Sequence, residues 1–250
     1  MTSPESPFQA DLAVDQQRYS LYERIYLVLA AAFVTLLVLT NIIGIKLFQA
    51  PLNPSFALTT GILTYPFTFL VTDIVSEIYG KRRADFMVIV GFAMSMLMLL
   101  VVQLAMRVPP HEAWVAGPSA YYQLADDQQH AFESVFALSG VLLFGSMTAY
   151  LCAQLTDNFL FHFWKRVTKG RHLWLRNNGS TMISQLVDTA VVNSILFFIG
   201  FGWDFAFGVK IMATIYVYKL VIALIDTPFI YLGVYVVKRM LGYEWHEEVS

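Results

Sequence analysis

The chain alternates long apolar stretches with short polar ones. Residues 25–45, 86–106 and 134–156 contain no Asp, Glu, Lys or Arg. Each reaches the ~20 residues that a helix needs to cross a hydrocarbon layer about 30 Å thick. Three further stretches, 60–79, 181–201 and 209–237, are apolar apart from single charges. This pattern predicts an all-α integral membrane protein with six transmembrane helices. The connections are too short for a separate soluble domain. One membrane domain over 25–238 is expected between a polar tail at 1–24 and a second tail at 239–250.

Composition agrees with that class. Hydrophobic residues make up 57% of the chain and charged residues 14%, against about 25% charged in soluble domains. The net charge of −2 adds little, but its distribution sets an orientation. Twelve Lys and Arg fall in the segments expected on one side and three (Lys46, Arg107, Lys210) in those expected on the other. By the positive-inside rule both termini are cytoplasmic, as an even number of spans requires. The apolar run after the first 24 residues is too long for a signal-peptide core, and no small-residue cleavage site follows it. Cys152, the only cysteine, lies within a span, so no internal disulfide is expected.

The connecting segments differ by side. Loop 47–60, on the outer side, is apolar and broken by Pro51 and Pro54; it either covers a cavity mouth or only turns the chain. Loop 107–132 carries Trp114, Tyr121, Tyr122, Asp126 and Asp127, and its aromatics read as an interfacial belt. Loop 161–180 holds five cations suited to anionic lipid, a consequence of topology and not a nucleic-acid site. Within it, Asn178-Gly179-Ser180 reads as a turn.

At a shift of 84 residues, Gly61, Thr64, Thr72-Asp73 and Lys81-Arg82 fall on Gly145, Thr148, Thr156-Asp157 and Lys165-Arg166. Both segments run in the same direction, so a duplication would be a parallel internal repeat. The alternative is that two inward-running helices end in polar and basic residues for the same topological reason.

Ionisable groups within the spans are few: Asp73, Glu77, Asp157, Asp188, Lys219 and Asp226. Charges in hydrocarbon are costly and usually pair, line a cavity or bind something polar. Asp73, Glu77 and Lys81 recur at i, i+4 and i+8, which places them on one helix face, as a site or as an edge ladder. Asp157 stands in the same relation to Lys165 without a second acid and reads as structural. Asp188 and Lys219 are the deepest, on consecutive antiparallel helices, so they can pair, either as a structural ion pair or within a site. Asp226 follows Lys219 two turns later on the same face. Asn41, Asn193 and Gln154 add polar groups that imply a hydrated or ligand-filled interior.

Catalytic constellations are missing. There is no Gly-x-x-x-x-Gly-Lys-Ser/Thr loop, no His-Glu-x-x-His and no Gly-x-Ser-x-Gly elbow. The histidines fall in loops, near helix ends or in the tail. No cofactor or metal is expected, and a carrier fits better than an enzyme.

Three stretches carry a resemblance. They are Asn41-Ile-Ile-Gly-Ile-Lys46, then Leu63-Thr64-Tyr65-Pro66-Phe67, then Asp73-Ile-Val-Ser-Glu77-Ile-Tyr-Gly80-Lys-Arg-Arg-Ala84. With Arg176-Asn-Asn-Gly-Ser180 and Ser184-Gln185-Leu-Val-Asp188-Thr189, the chain resembles the YhhQ-type queuosine-precursor transporters of the vitamin uptake transporter family. The resemblance implies a bacterial inner-membrane protein that imports 7-cyano- or 7-aminomethyl-7-deazaguanine for salvage into tRNA queuosine. It also implies kinship with the substrate-binding subunits of energy-coupling-factor transporters. Those commonly carry Ala-x-x-x-Ala on the first helix. Here Phe33 and Val34 follow Ala30-Ala31-Ala32, which puts docking to an ATPase module in doubt.

Such a base suits these residues. A carboxylate can accept from its N1–H and exocyclic amine together, and a donor such as Gln185, Asn41 or Lys219 can serve its carbonyl. An aromatic ring can stack on its face. Asp188 with Gln185 is the expected reader of the base. Asn41, Glu77, Asp73 and Lys219 complete the expected substrate site, with Glu77 or Asp73 as a proton carrier. The expected partners are a nucleobase-like small molecule and the bilayer, with no nucleic acid, and the chain is compatible with a homo-oligomer. The competing readings are a substrate-binding subunit that needs an ATPase partner and a membrane enzyme with Asp-based acid–base chemistry.

Overall fold

The computed structural model describes residues 16–44, 46–49, 57–111, 132–133, 135–136, 140–200 and 202–242. Six long helices dominate: α1 Gln16–Ile43, α2 Tyr65–Tyr79, α3 Lys81–Arg107, α4 Gly140–Val167, α5 Leu173–Ser194 and α6 Phe205–Met240. A π-helical turn, Ile195–Gly200, continues α5. Between α1 and α2 a small hairpin pairs β1 Leu47–Gln49 with β2 Ala57–Thr59, antiparallel, with Phe48 opposite Leu58. The fold is therefore all-α apart from this ribbon. The expected tails fall mostly outside the described residues, as do Pro51, Pro54 and the aromatic and acidic residues of loop 107–132.

Among the described residues, four segments are long and apolar enough to cross a membrane: Tyr19–Ile43, Lys81–Arg107, Leu173–Ile199 and Phe205–Met240. The second expected span departs from the sequence pattern. Residues Thr60–Leu63 form a 3-10 turn, and only Tyr65–Tyr79 is α-helical. Fifteen residues cover about 22 Å at 1.5 Å per residue, short of a hydrocarbon core. Pro66 explains the start, since it lacks the N–H that an interior helical position would use and fits the first turn.

The end of α2 is equally local in origin. Gly80 adopts φ +82°, a conformation costly for a residue with a Cβ, and it alone joins α2 to α3. The helix breaks between Glu77 and Lys81. The two residues do not share one helix face, and the ladder expected from their spacing does not form. Lys81 instead pairs with Asp85 on its own helix.

Packing inverts the arrangement of a soluble core. Large apolar side chains are exposed along α3 (Phe86, Ile89, Leu97, Leu100, Leu104) and α6 (Val217, Val221, Leu224, Ile225, Leu232). The buried set includes Thr68, Thr72, Asp73, Ser76, Gln154, Asp157, Asn158, Arg176, Ser184, Gln185 and Asp188. A lipid-facing exterior with the polar groups turned inward satisfies both, because lipid offers no hydrogen bonds. Close approach of helices is set by small residues. A Cβ on Gly233 of α6 would sit 2.4 Å from Ile74 Cδ1 of α2. At the α1–α3 end, the Arg83 guanidinium lies over the rings of Tyr22, Tyr26 and Tyr79 at 5.1–5.8 Å and pairs with Glu23.

Candidate functional site

Helix α2 is the hub of the interior, and it meets two different polar environments. Along α4 it runs parallel, as three contacts at a constant offset of 82 residues show. Tyr150 OH donates to Thr68 Oγ1 at 2.9 Å, Thr72 Oγ1 to Gln154 Oε1 at 3.3 Å, and Ser76 Oγ to Asn158 Oδ1 at 3.3 Å. Gln154 Nε2 closes back on Tyr150 OH at 2.6 Å, and Asn158 Nδ2 donates to Asp85 Oδ1 at 3.0 Å. Thr68, Thr72, Ser76, Gln154 and Asn158 are buried, and Tyr150 is partly buried. Asp73 and Asp157, the two acids related by the 84-residue shift, face one another between these rungs. Ser184 Oγ of α5 donates to Asp157 Oδ1 at 2.8 Å. Asp157, read as structural from sequence, thus forms one interior group with Asp73.

One turn on, the end of α2 closes in ions. Glu77 pairs with Arg176 at 3.1 Å through Oε1 and with Lys165 at 3.1 Å through Oε2. Arg176 also donates to the Gly170 carbonyl at 2.7 Å and its side chain is only 2% exposed. The expected loop 161–180 is mostly helix, since α4 runs to Val167 and α5 begins at Leu173. Arg176 is therefore an interior partner and does not face lipid. Asn178-Gly179-Ser180 lies inside α5 and is not a turn, because Gly179 packs against the Trp164 ring and Asn178 Nδ2 donates to the Trp174 carbonyl and to Thr227 Oγ1.

The second environment is a small, partly open cavity between α2, α5 and α6. Its wall consists of Ile62, Tyr65, Pro66 and Phe69 from the 3-10 turn and α2, Thr181 and Gln185 from α5, and Lys219, Ile222, Ala223 and Asp226 from α6. The 3-10 turn before α2 contributes Ile62 to this wall.

The cavity has open hydrogen-bonding capacity. Tyr65 OH and Gln185 Oε1 are buried and form no well-aligned hydrogen bond with a described residue, although Tyr65 OH lies close to Gln185 and Asp188, and Gln185 is 3% exposed overall. Lys219 Nζ donates to Asp188 Oδ2 at 2.6 Å, the pairing expected from the sequence. Its ammonium lies 4.4 Å from the centroid of the Tyr65 ring. Tyr65, Phe69 and Tyr150 form an aromatic wall with centroids 4.9–6.3 Å apart.

Gln185 and Lys219 thus line the cavity, and Asp188 stands directly behind Lys219. Asp73 and Glu77 face α4 and the ionic end instead. Asn41 lies elsewhere, with Nδ2 donating to Ser95 Oγ at 3.3 Å across α1 and α3. Tyr65, Phe69, Thr181 and Asp226 are cavity residues not in the expected site. Asp226 could have been found from its i+7 spacing to Lys219. Tyr65 and Phe69 carry no such signal.

The family model described as "Putative vitamin uptake transporter" matches residues 59–233. The chain belongs to this family. It is a membrane transporter and not an enzyme. The family match takes in every cavity residue, Ile62 to Asp226, and leaves out Asn41. Two curated relatives are similar to the chain. A "Probable queuosine precursor transporter" of Bacillus subtilis is 29% identical over 174 residues, 69% of this chain and 70% of the relative. A protein of the same description from Haemophilus influenzae is 26% identical over 144 residues, 58% of this chain and 54% of the relative. No solved structure matches the chain.

Proposed function

We propose that this family member is an inner-membrane importer of 7-deazaguanine precursors of queuosine, 7-cyano- or 7-aminomethyl-7-deazaguanine, for salvage into tRNA. The observation that carries this reading is the cavity itself. It brings together aromatic rings, a carboxylate and two buried polar atoms, Tyr65 OH and Gln185 Oε1, that form no well-aligned hydrogen bond with a described residue. Unpaired buried groups cost stability, and a ligand with complementary donors and acceptors removes that cost when it binds. The names of the two curated relatives support the same ligand class.

In this reading all six helices are membrane-embedded and both termini are cytoplasmic. The α2 segment is completed across the bilayer by the hairpin and 3-10 turn before it. Non-helical backbone at membrane depth is tolerated where it lines a cavity, as residues 60–64 do here. The parallel contact of α2 with α4 suits an origin by duplication of this pair. Asp73 and Asp157 supply a place for a coupling proton. Two carboxylates in contact away from water repel unless a proton or cation lies between them, and each described buried cation is paired with another acid.

The experiment that tests the function is uptake-dependent tRNA modification. Cells unable to make the deazaguanine precursor, and lacking their own importer, would express this chain and receive nanomolar 7-cyano- or 7-aminomethyl-7-deazaguanine. Queuosine in tRNA is expected only when the chain is present. No queuosine, with the protein verified in the membrane, would exclude this substrate class. Co-purification of an ATPase module would instead point to a substrate-binding subunit with the same ligand.

A further inference from the structure

Two carboxylates compete for the role of reading the ligand's donor edge, and the structure separates them. Asp188 is engaged. It accepts from Lys219 at 2.6 Å with 5% of its side chain exposed, and it does not itself line the cavity. Its charge is compensated and its partner stands between it and the open space. Asp226 differs on each count. It lines the cavity and forms no hydrogen bond or ion pair with a described residue. It sits seven residues, two turns, beyond Lys219 on α6 and faces Gln185 and Tyr65 across the same space.

An ionised carboxylate has only acceptors to offer, on two coplanar oxygens. Its best neutral partner is a pair of adjacent N–H groups on one planar edge, met by two parallel hydrogen bonds. The N1–H and exocyclic amine of a guanine-type ring are such an edge. An adenine-type edge places a ring acceptor there and would repel the carboxylate. Gln185, which can donate through Nε2 and accept through Oε1, then remains for the ring carbonyl and its neighbour. Lys219, whose ammonium spends one of its three N–H donors on Asp188, can donate to the same carbonyl but has no acceptor for the donor edge. The one uncompensated charge in the cavity wall is thus negative, which selects for a donor-rich edge.

We propose that Asp226, not Asp188, is the carboxylate that reads the amidine edge of the base and sets specificity for guanine-type rings. The assignment rests on the substrate class proposed above and adds to it the residue that discriminates. It sets no preference within that class. The amidine edge is common to the cyano and aminomethyl bases, so both depend on Asp226 equally.

The test compares ligands on the full-length chain in lipid nanodiscs. Binding of 7-cyano-7-deazaguanine, of its 2-desamino analogue and of 7-aminomethyl-7-deazaguanine would be measured for the wild type, Asp226→Asn and Asp188→Asn. The wild type is expected to prefer the 2-amino base over the desamino analogue by about 10–100-fold, the usual scale for a hydrogen bond to a charged group. Asp226→Asn should collapse that ratio to within about threefold and weaken both 2-amino bases alike. Asp188→Asn should keep the ratio, whatever it does to affinity. If Asp226→Asn does not fold, Asp226→Glu, which keeps the charge and displaces it, should also reduce the ratio. An unchanged ratio in the Asp226 variant, or its collapse only in Asp188→Asn, would overturn the assignment. So would a loss confined to the aminomethyl base, which would make Asp226 a partner of the ligand's ammonium. A wild type that binds none of the three would overturn the substrate class itself, a failure separate from a retained ratio.

Discussion

Helix α2 presents two polar faces that look alike in the sequence and differ in kind in the structure. Toward α4 its Thr68, Thr72 and Ser76 meet Tyr150, Gln154 and Asn158 in closed rungs, each hydrogen bond made within the protein. Toward α5 and α6 its Tyr65 borders open space, where Tyr65 OH and Gln185 Oε1 form no well-aligned hydrogen bond with a described residue. One face holds helices together and the other borders the cavity proposed for the ligand. Polarity in an apolar surround is thus no guide to a site; unsatisfied polarity beside a void is.

The largest test of this contrast lies at the closed end. Glu77→Ala leaves Arg176 buried without its carboxylate, and removal of one partner of a buried pair typically costs about 3–5 kcal/mol. Thermal unfolding in detergent should show the chain severely destabilised or unfolded, with ligand binding lost only in proportion to folded protein. Intact stability with abolished binding would move Glu77 into the site.

The Lys219–Asp188 pair stands between the two classes. Lys219→Met strands Asp188 and should reduce both folded yield and uptake, uptake by more than tenfold. Adding Asp188→Leu removes the stranded charge and should restore yield without restoring uptake. Recovery of uptake in the double variant would show the pair to be structural only.

Gln185→Leu sharpens the cavity side. Its Oε1 has no protein partner to lose, so melting should be unchanged or slightly higher. Affinity should fall about 10-fold, the scale of one to two hydrogen bonds, as measured by ligand-dependent thermal shift. A drop in stability without a change in affinity would close this part of the cavity.

The smallest effects form a matched pair. Thr72→Val removes a hydroxyl that bonds the Phe69 carbonyl at 2.8 Å and Gln154 Oε1 at 3.3 Å, and it should cost about 1 kcal/mol with affinity unchanged. Tyr65→Phe removes a hydroxyl that makes no well-aligned hydrogen bond with a described residue, so stability should hold while affinity drops a few-fold. If the two variants behave alike, the distinction between the two faces of α2 fails.

Much of this protein was legible before any coordinates. Runs of some twenty uncharged residues have one stable solution in lipid, a helix that satisfies its own backbone, and the six helices stand close to those runs. The Asp188–Lys219 pair was legible too, since two opposite charges deep in consecutive antiparallel segments have few other partners. Lys81 shows where linear spacing stops working. It is four residues from Glu77, yet a single glycine with positive φ rotates the chain between them, and each finds a different partner. Arg176 and Asp157 show the same limit in a different way. One was read as a lipid-facing cation and the other as a helix-end acid, but both are deep interior groups, because burial depends on which helix packs beside them. Composition, helix positions and the short list of interior charges thus follow from local hydrophobicity, which is a property of consecutive residues. Which polar groups satisfy one another, and which are left facing a void, is decided by distances between α2, α4, α5 and α6, and no spacing along the chain encodes those.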